Sequence, residues 1–221
     1  MGIPINTYMK LKWYRTTYEE NREYCLEKEM VFVSDNGEEN QLLNLYPEMK
    51  YQVYEGFGGA LTESAGYIFN QMSKEQQTEM LEQYFDKNEM KYGMVRIPID
   101  SCDFSLGHYE AVEDVADKTF DGFQLKRVEE NILPLLNSAQ VVYGDDLEIM
   151  LTPWSPPAYM KTNGNRNYGG KLKEEYKKIW ADYICKYIKE YRKLGYKDCG
   201  GFVIDVPGYE QPMEMFLIKR I

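Results

Sequence analysis

Three short stretches of this 221-residue chain carry residue types suited to chemistry. The first is Gly56-Phe57-Gly58-Gly59-Ala60-Leu61-Thr62-Glu63-Ser64-Ala65. Its glycines allow tight backbone geometry, and Thr62 and Glu63 can face a cleft; a plain turn with an exposed glutamate reads equally well. The second, Ser101-Cys102-Asp103-Phe104-Ser105, sets Asp103 among small residues. A carboxylate there suits accepting hydrogen bonds from hydroxyls, and it equally suits an Asx turn or a helix cap. The third is Thr152-Pro153-Trp154-Ser155-Pro156-Pro157-Ala158-Tyr159-Met160-Lys161. Three prolines stiffen it and hold Trp154 in one orientation. A rigid indole offers its face to the C–H face of a sugar ring and its N–H to one hydroxyl, unless it packs between strand and helix instead. The chain holds 36 carboxylates, so composition alone singles out no acid–base pair.

Each stretch follows a strand-like segment. Tyr51–Phe57 reads as a strand ending at Gly58-Gly59, Met94–Ile99 as a strand buried on both sides, and Leu147–Leu151 as a third. Helical patterns alternate with them. Ser73-Lys74-Glu75-Gln76 has capping-box spacing, with Met80, Leu81, Tyr84 and Phe85 continuing one face. Asp121-Gly122-Phe123-Gln124 starts a second helix through Val128, Ile132, Leu135, Leu136 and Ala139, with a kink expected at Pro134. A stripe from Leu172 through Trp180, Tyr183, Tyr187 and Tyr191 to Leu194 predicts the third, stopped by Gly195. This order is that of a parallel α/β fold, doubly wound or a (β/α)8 barrel. No Gly-x-Gly-x-x-Gly follows a strand and no Walker lysine is present, which favours the barrel, where function sits on loops after the strands' C-terminal ends. Residues 1–50 read as short strands and turns, including Met30-Val31-Phe32-Val33 and Asp35-Asn36-Gly37.

Composition removes other classes. A net charge of -10 disfavours a nucleic-acid binder. No run of 18 apolar residues predicts a membrane span, and the N-terminus lacks the apolar core of a signal peptide, so the expected location is the cytoplasm. Cys25, Cys102, Cys185 and Cys199 are then expected reduced; none forms a C-x-x-C pair, and neither a metal nor a cofactor is implied. His108 stands alone, which argues against a Ser-His-Asp triad.

The motifs resemble glycoside hydrolase family 30, the glucosylceramidases and related β-glycosidases. Gly56–Ala65 is similar to the family's first-strand signature. Val95-Arg96-Ile97-Pro98-Ile99 with Ser101–Ser105 is similar to its second, and Thr152–Pro157 continuing to Gly164 is similar to its third. The likeness covers about residues 41 to 197. It implies a partial (β/α)8 TIM barrel, about the first three to four βα units, with N-terminal strands that belong to a small β-sandwich. The domains expected are a β-rich extension at 1–50, a partial barrel at 51–197 and a divergent tail at 198–221. It also implies retaining hydrolysis of a β-glucoside or glycolipid, with Asp103 and Trp154 on the sugar and Arg96 inside the barrel near the nucleophile. Retention needs two carboxyl groups roughly 5–5.5 Å apart. The family's acid/base lies in an Asn-Glu-Pro after the fourth strand, where this chain reads Asp205-Val206-Pro207, and Val206 has no proton to give. The expectation is an inactive fragment, truncated or frame-shifted near codon 198; completion by a second chain is the other account. A non-catalytic carbohydrate-binding protein is the alternative function, and self-association through open barrel edges is expected.

Overall fold

The computed structural model describes residues 10–15, 25–31, 37, 46, 48–196 and 199–201. The chain divides into two compact units, Met1–Val53 and Tyr54–Ile221. In the first, β1 (Lys10–Arg15) pairs antiparallel with β2 (Cys25–Val31), with a shift in register between Trp13 and Tyr14. Met30 and Val31 fall in β2; the expected continuation at Phe32-Val33 and the turn at Asp35-Asn36 lie outside the described residues.

The second unit is an open parallel sheet in the order β3-β4-β5-β6, comprising Gly58–Ala60, Met94–Ile99, Glu148–Pro153 and Cys199–Gly201. Among the described residues, four parallel strands with intervening helices form part of a TIM barrel and do not close it. Gly58, Met94 and Glu148 share one level of the sheet, and Ile99 pairs with Pro153 at the far end. The tips of β4 and β5 therefore stand side by side.

The first strand differs from expectation. Tyr51–Phe57 is not strand; pairing begins at Gly58. The cause is steric. A Cβ at Gly58 would run into the Met94 carbonyl, so only glycine lets the two backbones meet here. Tyr54 and Phe57 remain exposed and pack edge-on at 5.2 Å. Thr62 then caps α1 (Glu63–Gln71), accepting from the Ala65 N–H, a helix that sequence patterning left as loop. Ser73 and Gln76 form the expected capping box on α2 (Lys74–Phe85).

The next helix starts at Lys126 rather than Asp121, because the Asp117 carboxylate accepts from the Asp121 and Gly122 N–H groups and holds them in a turn. The distortion expected at Pro134 takes the form of a π turn, Val128–Ile132, running into α3 (Leu133–Tyr143). Proline brings no N–H and crowds the carbonyl four residues back, and the wider turn relieves both. Val128, Ile132, Leu135, Leu136 and Ala139 are all buried. The tyrosine stripe becomes α4 (Lys177–Lys193), ended by Gly195 at φ 101°.

On β4, Val95, Ile97 and Ile99 are at most 1% exposed and belong to the helix-side core, whereas Met94 and Arg96 stay partly exposed on the other face. The strand is thus buried on both faces only towards its C-terminal end. No described helix is long and apolar enough to cross a membrane.

Candidate functional site

Arg96 and Thr152 project from neighbouring strands onto the sheet face opposite the helices. The Arg96 Nε–H donates to Thr152 Oγ1 at 3.0 Å. That bond turns the guanidinium over the Trp154 ring, 4.9 Å from its centroid. The two Nη groups of Arg96 find no hydrogen-bond partner among the described residues. The indole Nε1 of Trp154 is likewise buried without one. A cation, an aromatic face and an unused donor therefore meet at one strand tip.

Asp103 stands on the adjacent loop, exposed and free of hydrogen bonds among the described residues, so it caps no turn. It lies at the same end of the sheet as Trp154, because β4 and β5 run parallel and in register. Its charge is felt at the Cys102 thiol. Burial pushes that thiol up most, Asp103 adds to the rise, and Arg96 opposes it. The loop itself is rigid: Cys102 N–H donates to Ser105 Oγ at 3.0 Å, and Phe104 O accepts from Ser64 N–H at 3.0 Å.

Glu63 matches neither of its two sequence readings. It is 1% exposed, accepts two bonds of 2.6 Å from Arg127, and takes the Leu106 N–H at 2.9 Å. It ties the start of α1 to the Asp103 loop. Arg96 and Trp154 are thus in contact, Asp103 is on the neighbouring tip, and Glu63 supports from below.

One group escaped sequence reading. Asp100 closes β4 with φ 60° and no exposure. Its Oδ1 accepts from Tyr187 Oη at 2.6 Å, Tyr183 Oη at 2.8 Å and Ala111 N at 2.9 Å. Burial raises its pKa; Arg166 and the two tyrosines work against that rise. An aspartate ending an apolar strand, facing tyrosines at i and i+4 of a helix, was the available signal.

The Trp154 loop is held by Lys161, whose Nζ donates to Ser155 Oγ at 3.1 Å and to Arg166 O at 2.8 Å. Among the described residues no group of three His, Cys, Asp or Glu is placed for a metal. A cleft of about 220 Å³ lies at the other end of the strands, lined by Phe57, Met94 and Glu148. Asp205-Val206-Pro207 lies outside the described residues.

Comparison with known proteins agrees with this architecture. Residues 54–201 match the glycosyl hydrolase family 30 TIM-barrel domain. The chain is 33% identical over 159 residues to the lysosomal acid glucosylceramidase of Mus musculus, covering 70% of this chain and 31% of that one. The crystal structure of SrfJ from Salmonella typhimurium superposes with a TM-score of 0.71 at 37% identity, over 85% of this chain and 42% of that one. The endo-β1,6-glucanase BT3312 gives 0.60 at 27% identity, over 70% and 35%. The chain spans about a third of the length of the curated relatives it matches.

Proposed function

Because the chain belongs to glycosyl hydrolase family 30, we propose that Arg96, Asp103 and Trp154 are the sugar-gripping side of a retaining β-glycosidase site of glucosylceramidase or β-glucosidase type. The observation that carries this reading is the Arg96–Trp154 stack at the same end of the sheet as the exposed, unengaged Asp103. In this arrangement the indole supports one face of a pyranose. Asp103, with all its acceptor sites unused among the described residues, takes hydroxyl hydrogens. The free Nη groups of Arg96 favour the ionised form of a carboxylate nucleophile brought next to them. The names of the relatives, a glucosylceramidase and an endo-β1,6-glucanase, support a glucose unit. Phe104 and Leu106, 60% and 52% exposed on the Asp103 loop, suit an apolar aglycone such as a lipid.

Residues 1–221 on their own are proposed to bind without turning over. Two carboxyl groups about 5–5.5 Å apart are required, and with the motif register kept the acid/base position falls on Val206. That valine also favours the second reading, a carbohydrate-binding protein without catalysis. Two assays separate the possibilities. The purified 221-residue polypeptide is expected to leave a chromogenic β-glucoside at the background rate; release well above background overturns the inactivity. Calorimetric titration with glucose or a glucosyl lipid is expected to show binding that weakens about tenfold in Trp154→Ala, the loss of one stacking contact. Equal binding by Trp154→Ala removes the sugar site from this strand tip.

A further inference from the structure

We infer that Arg166 is a positioning residue: it clasps the loop carrying Asp103 to the loop carrying Trp154. The inference rests on the sugar-site reading above and adds to it a device no motif contains. Arg166 sits far along the glycine-rich loop after β5, with its side chain only 7% exposed. Its Nη2 donates to the carbonyl of Ser101 at 3.0 Å. Its Nη1 lies 3.5 Å from Asp100 Oδ2 and 3.5 Å from Glu110 Oε1. All three acceptors belong to the segment that follows β4. The guanidinium thus bridges two loops through three acceptors, a task its planar fork suits and a single ammonium does not.

The clasp is closed from both sides. Glu110 Oε1 also accepts the Ala158 N–H at 3.0 Å, returning to the Trp154 loop. The carbonyl of Arg166 takes Lys161 Nζ at 2.8 Å and Ser155 Oγ at 2.8 Å, which anchors Arg166 one residue from Trp154. Beneath, Tyr183 and Tyr187 of α4 hold Asp100. Asp100, Glu110, Lys161 and Arg166 thus meet in one hydrogen-bonded unit. Asp103 is two residues beyond Ser101, so the separation of Asp103 and Trp154 is set through this unit.

The test uses the 221-residue chain and its Arg166→Ala and Arg166→Lys variants, read by hydrogen exchange, thermal unfolding and glucose titration. Arg166→Lys retains the charge between Asp100 and Glu110. It is therefore expected to unfold near the wild-type temperature, yet to exchange about tenfold faster in residues 101–112 and 154–172, with α2 unchanged. Glucose affinity is expected to fall by a similar factor in both variants. Wild-type exchange of both loops in Arg166→Lys and Arg166→Ala overturns the inference, as does acceleration that reaches α2 equally. If the wild-type chain takes no glucose, the sugar-site reading fails, and loop exchange still decides the role of Arg166.

Discussion

Single side chains at the strand tips divide into those with unused bonding capacity and those that hold them. Arg96, Asp103 and Trp154 have spare donors, acceptors or ring faces, whereas Glu63 and Asp100 have theirs fully engaged. Asp103 and Trp154 stood out in sequence as residue types unusual next to a strand end, whereas Arg96, within β4, was marked only by the family resemblance. The holding group was not legible there, because Asp100 meets Tyr187 across 87 positions and Glu63 meets Arg127 across 64. Asp100 supports a prediction in pH. Its pKa is raised above the ordinary 3.8 by burial, so the folded state holds the proton more tightly than the unfolded chain. Its contribution to stability is complete below that ordinary value and is lost as pH rises through the elevated folded value. Asp100→Asn has no such proton to lose. Urea midpoints taken across pH are expected to show the wild type losing stability relative to Asp100→Asn as pH rises above 3.8; a constant difference contradicts the assignment.

Elements here are placed by short-range signals wherever those signals act within a few residues. The capping box of α2, the buried stripe of α3 and the tyrosine face of α4 all follow from periodicity and end chemistry. The first strand does not. An aromatic, alternating run at Tyr51–Phe57 looked more strand-like than three small residues, yet Gly58–Ala60 pairs, because the limit is backbone approach to Met94. Two substitutions separate these causes in urea unfolding. Ser73→Ala removes a cap and is expected to cost about 1 kcal/mol. Gly58→Ala drives a methyl into a carbonyl and is expected to cost more, towards the upper end of about 1–3 kcal/mol, since neither backbone can move aside without losing the pairing. A Gly58→Ala chain as stable as the wild type would show that β3 does not need this close approach.

At the scale of the whole molecule, the described strands make an open sheet whose edge strand β3 has β4 as its one partner among them. Its uncovered face carries Met94, Arg96 and Met150, each partly exposed. Unpaired strand edges and apolar faces recruit other chains. The 221-residue polypeptide is therefore expected to sediment above monomer mass, increasingly with concentration; a monodisperse monomer across a hundredfold range of concentration contradicts this. From residues alone came the parallel α/β alternation, the choice of barrel and the three motif loops. The alternation and the loops rest on periodicity over a few residues or on residue types at a strand's end, and the barrel on the missing nucleotide loop; such local signals survive without knowledge of distant partners. Tertiary structure alone decided that Glu63 is a buried tie, that Asp100 anchors the strand tip to α4, and that Arg166 joins two loops. Those roles exist only when groups tens of residues apart are brought into the same low-dielectric space, where an unpaired charge is too costly to leave and the partner is whichever side chain the fold delivers.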